Sequence, residues 1–304
     1  MEKKKFSILI SSAFYEVRAY SPYVTSLVNS IRLLNQAGLN WSYQQISGDS
    51  YVDRAKNALV HEFLKSNHTH IMIIDSDEAW DVSGFGRLVK AAMIPGCEMV
   101  CGLYPCKNMW DFFGGIEKRS EDGYVMGKEI HGSRLIEMEV APGGFVIYSR
   151  EAFERTRPNL DSYVDPQSKE EILEAFKCSI ETEHKHMPKD KIEGFSHDEL
   201  VALVMRLQSG GKVGGNRIGE DVYFQQRFKE MGGAIWCEPN IEIEHYGIKA
   251  WKGNFQDHLL AASAKAAIEA SVGATEEDTE RMLSEMSNNL QKVKDINAKF
   301  EKGA

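Results

Sequence analysis

The sequence has no run of about 18 uncharged apolar residues, so it predicts no membrane span. It also lacks a surplus of positive charge. Against 45 Asp and Glu it sets 36 Lys and Arg, and the formal net charge of −9 denies it a general electrostatic hold on nucleic acid or an anionic membrane. There is no CxxC pair, and the five cysteines (Cys97, Cys101, Cys106, Cys178 and Cys237) leave an odd thiol. That pattern suits a reducing compartment and argues against a zinc site. What is present is 304 residues, 42% hydrophobic and 27% charged, enough to bury a large core and polar enough to stay in solution. The basic start, Met1 to Lys5, is followed by an apolar run of only Phe6–Ile10, which reads as a buried strand rather than a signal peptide. A cytoplasmic location is the expectation.

The first third alternates strand and helix. After the strand Phe6–Ser11, a helix opens at Ser21 with Pro22 in its first turn and stops at Gly38, with Val24, Leu27, Val28, Ile31 and Leu34 at helical spacing. The run Trp41–Ile46 predicts a second strand. A helix from Ser50 to about Lys65 follows, with Val52, Ala55, Leu59 and Phe63 on one stripe. Next come the strand His70–Ile74, a helix near Gly86–Met93 and the strand Met99–Leu103. Such alternation implies a parallel-rich, doubly wound α/β sheet.

From Asp111 the pattern changes to glycine-punctuated strands, Phe112–Ile116, Leu135–Val140 and Phe145–Tyr148. Helical patterns are expected at Glu151–Thr156, Lys169–Cys178 and Ser196–Gln208, within an inserted acceptor region of about 150–218. The expected division is a nucleotide-binding half, 1–110, an acceptor half, 111–256, and a helical extension, 257–304, that could serve as a contact between copies of the chain.

The strongest local signal is Asp75-Ser76-Asp77 directly after four apolar strand residues. Ligands of such sheets bind at the carboxyl ends of the strands, and paired carboxylates there suit a hard divalent cation with substrate phosphates completing its shell. Asp and Ser are also good helix N-caps, and Glu78 and Asp81 extend the acidic run, so capping is the competing explanation. Further on, Gly219-Glu220-Asp221 opens an amphipathic helix. Its carboxylates either favour the helix start or, if Asp221 faces the crevice, accept a proton from an attacking hydroxyl, a role often worth about 10²–10⁴-fold in rate. His245 follows a strand, and neutral imidazole is a competent Mn²⁺ ligand, although a single histidine is more often a core or surface residue. The pairs His68/His70 and His184/His186 have no Cys or HExxH frame and receive no role.

The order of these pieces resembles the glycosyltransferases of the A-type nucleotide-sugar fold (GT-A). Asp-Xaa-Asp after a strand, Gly143-Gly144 before Phe145–Phe153, then Gly219-Glu220-Asp221 with Arg227, then His245, are similar to the family 2-like enzymes. The segments Arg54 to Asn57 and Tyr104-Pro105-Cys106-Lys107 resemble the small members carried by bacteriophages and large DNA viruses. The likeness runs from about Phe6 to Gly247. It implies a GT-A-like doubly wound mixed sheet and transfer of one sugar from a nucleoside-diphosphate sugar, UDP-sugar first among them, with Mn²⁺ or Mg²⁺. By that resemblance Ser11, Ala13, Tyr15 and Asp49 hold base and ribose, with Arg54 and Asn57 nearby. Asp75 touches ribose or metal and Ser76 the donor, and Asp75, Asp77 and His245 surround the metal. Gly143, Gly144 and Lys107 line the donor, Asp221 is the base with inversion at the sugar, and Glu220 hydrogen-bonds donor sugar or acceptor. Helical geometry puts Arg54 opposite the apolar stripe, where a solvated face is the alternative.

The acceptor is expected to be a glycan or a hydroxymethylated pyrimidine in DNA, touched by Trp110, Lys212 and Arg217. Lys185, His186, Lys189 and Lys191 add local positive charge that could offset the acidic whole. A sugar-phosphate nucleotidyltransferase is the rival enzyme class, but Ser11-Ser12-Ala13-Phe14-Tyr15 lacks the glycine-rich basic loop it needs. A non-catalytic carbohydrate-binding module is the rival outside enzymes.

Overall fold

The computed structural model describes residues 5–16, 18–107, 112, 115–116, 128–130, 133–166, 168–182, 196, 215–247 and 250–259. The strand β1 (Ser7–Phe14) is followed by α1 (Ser21–Gln36), β2 (Asn40–Ser47), α2 (Val52–Lys65) and β3 (His70–Asp75). Pro22 stands in the first turn of α1, where its missing N–H costs nothing. The short strand β4 (Glu78–Trp80) and α3 (Val82–Ala92) lead to β5 (Met99–Cys101). Then come β6 (Gly115–Ile116), β7 (Lys128–Ile130), β8 (Ser133–Val140), β9 (Phe145–Ser149) and α4 (Arg150–Thr156), the last capped by the Ser149 hydroxyl. β10 (Asp161–Val164), β11 (Glu171–Glu174), β12 (Ser179–Thr182) and β13 (Gly215–Ile218) form two small hairpin-like pairs. The chain continues through α5 (Glu220–Glu230), β14 (Ile235–Cys237), β15 (Glu242–Tyr246) and β16 (Ala250–Asn254).

The main sheet runs β2-β1-β3-β9-β5-β14-β8-β6, with β7 pairing β8. Alternate residues of its central strands enter opposite cores. Ile71 and Ile73 pack with Phe63, Phe153 and Phe224 from α2, α4 and α5, while Met72 and Ile74 pack with Leu34, Phe85 and Leu88 from α1 and α3. The fold is therefore α/β and doubly wound, with helices on both faces.

The sheet is mixed rather than parallel-rich. β1 pairs in parallel with β2 and β3, as β14 does with β5, but β9 lies antiparallel between β3 and β5. That insertion brings the turn before β9, Gly143-Gly144, to the carboxyl edge of β3.

The expected helix Lys169–Cys178 is instead strand β11 and an irregular stretch. Ile172, Leu173, Ala175 and Phe176 are buried at helix-like spacing, but β10 pairs with β11, and the buried Asn57 amide clasps the Phe176 backbone in both directions at 2.8 Å. Tertiary contacts override the local preference. Of the expected strand Phe112–Ile116, the described part is a bridge from Phe112 to Pro105 and the pair Gly115–Ile116. Apart from Ser196, the expected helix Ser196–Gln208 lies outside the described residues, as does the extension beyond 259.

Candidate functional site

The carboxyl ends of three parallel strands coincide. Ala13 is level with Ile46 on β2 and with Asp75 on β3, and the Asp75 N–H donates to the Gly144 carbonyl at 2.8 Å. The capping explanation for the acidic tripeptide falls to Asp81 instead. Its carboxylate accepts from the Gly84 N–H at 2.6 Å and the Ser83 hydroxyl at 2.5 Å, opening α3, and from the Glu242 N–H at 2.9 Å. Asp75 and Asp77 are left facing the crevice beyond the strand end.

The inner half of the crevice is organised by Lys56, a residue that the sequence reading passed over. Its side chain is 1% exposed, and its Nζ lies 2.8 Å from Asp221 Oδ1, 3.1 Å from Glu220 Oε1 and 4.0 Å from Asp75 Oδ1. Burial by itself pulls a lysine down, yet the charges of Asp221, Asp75 and Glu220 hold this ammonium well above the usual lysine range. Burial raises the Glu220 and Asp75 carboxyls, and Lys56 opposes it in both. The one signal in the sequence was a lysine four residues from Val52 and from Val60, on the apolar side of α2.

Asp221 is held from a second side. Its Oδ2 accepts the Gly143 N–H at 2.9 Å, and one turn later on α5 the buried Gln225 amide pairs with both backbone groups of Ala141 at 2.8 and 2.6 Å. The turn before β9 is thus docked onto one face of α5. A Cβ on Gly143 would lie 2.2 Å from Asp221 Oδ1. A Cβ on Gly144 would lie 2.5 Å from Glu78 Oε1, 2.6 Å from Asp75 Oδ2 and 2.6 Å from the Tyr104 hydroxyl oxygen. Lacking a Cβ, these two glycines leave room for the protein's own carboxylates.

The outer half contains Asp77, Glu78, Lys107 and His245. The Lys107 ammonium pairs with Asp77 Oδ2, and Asp77 Oδ1 is 3.9 Å from His245 Nε2. His245 Nδ1 hydrogen-bonds the Pro105 carbonyl at 2.9 Å, which places the proton on Nδ1 and turns the Nε2 lone pair toward Asp77. Burial lowers the imidazole pKa and favours this neutral form. The Tyr246 N–H holds the Asp77 carbonyl at 2.7 Å, and β15 pairs His245 directly with Glu78 on β4.

The remaining candidates divide. Asp49 and Arg54 form a two-pronged pair at 2.7 and 2.8 Å on the rim, the guanidinium lies 5.1 Å over the Tyr51 ring, and Arg54 holds the Asp49 carboxyl below its ordinary range. Ala13 and Ser76 are partly buried at the strand ends, and Tyr15 is 70% exposed beyond β1. Ser11 and Asn57 are corrections. Ser11 is fully buried and accepts from Gln44 at 2.9 Å, and both ends of the Asn57 amide are engaged by Phe176, so neither faces the crevice. Trp110, Lys212, the Arg217 side chain and the basic residues 185–191 lie outside the described residues.

Donor atoms of His61, Glu62 and Glu170 lie within 4.8 Å of one another, a tighter group than the crevice presents among the described residues. That group is a surface ion-pair cluster, with Lys65 within 3.3 Å of both glutamates.

In the outer half, Asp77 and His245 are the two residues whose donor chemistry suits a divalent cation. Asp77 Oδ1 and the His245 Nε2 lone pair face each other at 3.9 Å, while the Lys107 ammonium occupies the second Asp77 oxygen. Fold and site together define an α/β protein with a doubly wound mixed sheet and a cluster of carboxylates around Lys56 at its carboxyl edge, the edge at which ligands of such sheets bind.

No family model and no curated protein matches the chain. Among solved structures, A197 from STIV aligns at 16% identity and a TM-score of 0.42, over 80% of this chain and 86% of its own. GalNAc-T7, solved with UDP, GalNAc and Mn²⁺, aligns at 11% identity and a TM-score of 0.42, over 80% of this chain and 44% of its own, so this chain spans less than half of that one. These likenesses assign no residue a role. No helix among the described residues is long and apolar enough to cross a membrane.

Proposed function

We propose that this chain is a glycosyltransferase that moves one sugar from a nucleoside-diphosphate sugar, UDP-sugar first among them, to an acceptor hydroxyl with the help of Mn²⁺ or Mg²⁺. The observation that carries the reading is the convergence of Glu220 and Asp221, from the start of α5, with Asp75 from the end of β3 on the single buried ammonium of Lys56. Residues about 150 positions apart in the chain are brought together where a ligand of this fold would lie. Asp77 and His245 adjoin them as the residues that would hold the cation.

When bound, the cation supplies positive charge against the negative charge that develops on the departing diphosphate. Lys56 and the Gly143 N–H orient Asp221, whose oxygens keep lone pairs for the acceptor proton. Asp221 takes that proton as the acceptor oxygen attacks the opposite side of the sugar, giving inversion. Glu220 binds donor sugar or acceptor, and Asp75 lies between Lys56 and the ribose. Asp49, Arg54, Tyr51 and Tyr15 form the rim that receives the base.

Incubation with mixed nucleotide-sugars and a panel of glycans and hydroxymethylated DNA, read by mass spectrometry, tests the reading. Transfer is expected in the native protein and lost in Asp221→Asn, with nucleotide binding retained. Near-normal turnover by Asp221→Asn would remove it as the base.

A further inference from the structure

Tyr104 follows β5 and stands between the two halves of the crevice. Its ring packs edge-on against His245 of the outer half, with centroids 4.8 Å apart. Its hydroxyl lies against Gly144. A Cβ built there would meet the phenol oxygen and Asp75 Oδ2 at 2.6 Å each and Glu78 Oε1 at 2.5 Å, so the three oxygens surround one point. The backbone on either side of Tyr104 is held, because the Gly102 N–H donates to the Phe145 carbonyl at 3.0 Å and the Pro105 carbonyl accepts from His245 Nδ1 at 2.9 Å. The phenol is thus fixed in the crevice by contacts from both halves.

An anion entering this crevice needs hydrogen-bond donors, and the described cations there are already committed. Lys56 is shared by Asp75, Glu220 and Asp221, Lys107 pairs with Asp77, and Arg54 pairs with Asp49. Tyr104 brings an uncharged O–H among these acceptors. That proton is not given to Glu78, since neither Glu78 oxygen has a hydrogen-bond partner among the described residues, and Asp75 is turned toward Lys56. The backbone N–H of Gly144 faces the phenol oxygen, which leaves the phenol's own proton for a ligand. A phenol, with an ordinary pKa of about 10, keeps that proton at neutral pH. Burial and the negative charges of Glu78, Asp75 and Asp221 raise it further.

We propose that Tyr104 is a catalytic residue of the sugar transfer: its hydroxyl donates a hydrogen bond to the diphosphate oxygen that leaves the sugar. The inference rests on the glycosyltransferase reading above and adds a residue to it. The bond between the anomeric carbon and that oxygen breaks with its electron pair going to the oxygen. The acceptor proton goes to Asp221, and the phenol keeps its own. A donor aimed at an oxygen that gains charge binds more strongly as the bond breaks, so it lowers the barrier rather than tightening the hold on the intact donor.

The test is Tyr104→Phe, which deletes one oxygen atom and keeps the ring against His245. With the donor and acceptor pair selected by the mass-spectrometric panel, kcat should fall on the order of 100-fold, the loss expected when a donor to a developing oxyanion is removed, while KM for the nucleotide-sugar stays unchanged. Calorimetry in the presence of Mn²⁺ gives a readout apart from activity. UDP carries the released oxygen with its full charge, so its affinity should drop roughly 10–100-fold in the variant, whereas UMP, which lacks that oxygen, should bind both proteins alike. Thermal melting of the variant should match the native protein. Native kcat in Tyr104→Phe, a raised KM with kcat unchanged, equal losses for UDP and UMP, or a lowered melting temperature overturns the role of Tyr104 and leaves the transfer reading standing. Absence of transfer by the native protein from every donor of the panel overturns that reading and this inference with it.

Discussion

Replacing Lys56 by Met removes the ammonium and keeps most of the apolar stem, so it isolates the charge. Three carboxylates lie 2.8, 3.1 and 4.0 Å from Nζ. At an effective dielectric of about 20, each of those separations is worth roughly 4–6 kcal/mol of attraction. Desolvation of four charged groups offsets most of it, and breaking buried pairs by deleting one partner costs about 3–5 kcal/mol net. Equilibrium denaturation at pH 7 should show a loss of that size, which for a chain of this length lowers the melting temperature by on the order of 10 °C. The deficit should also grow with pH. Without Lys56 the carboxyls take up protons more readily folded than unfolded, so the variant loses stability as pH rises through their range. Lys56→Arg should recover part of the loss. A loss below about 1 kcal/mol, the size of a surface pair, would refute Lys56 as the organising charge.

Gly143→Ala should cost about 1–3 kcal/mol by overpacking, because the new Cβ meets Asp221 Oδ1 at 2.2 Å; denaturation that matches the native protein would contradict that contact. Asn57→Ala should cost about 2–4 kcal/mol, because it leaves the Phe176 N–H and carbonyl unpaired in the interior, and an unchanged urea midpoint would count against the clasp. Burial pushes His70 down from 6.5 to about 4, against a partial upward pull from Glu151. Its contribution is fully present above pH 6.5 and lost as pH falls toward 4, up to about 3 kcal/mol. A nuclear magnetic resonance titration of His70 with a midpoint near 6.5 would refute that burial.

The first β-α-β-α-β unit was readable because period, cap and stop agree there, from Pro22 in α1 to the apolar run His70–Ile74. Asp75, Asp77, Glu220, Asp221 and His245 stood out as residue types at element ends; Asp75, Glu220 and Asp221 lie within 4.0 Å of Lys56 Nζ, and Asp77 lies 3.9 Å from His245 Nε2. Lys56 was hidden because a single lysine on a helix is ordinarily solvated, and only the long-range meeting with α5 makes it buried. Glu78 read as one more acidic residue, since its lack of partners depends on which neighbours Lys56 and Lys107 have taken. The Lys169–Cys178 segment misled because its apolar spacing suits a helix equally well, and the Asn57 clasp that decides the matter comes from over a hundred residues away. The antiparallel course of β9 has no local signature, although it is what sets Gly143-Gly144 among the carboxylates.

Calorimetric titration of the native protein with UDP, with Mn²⁺ and then with Mn²⁺ removed by chelation, tests most directly whether this crevice takes a cation-bound diphosphate. Binding that requires Mn²⁺ and disappears in Asp77→Ala is the expected result. Equal UDP affinity with and without the metal, or in Asp77→Ala, would contradict it.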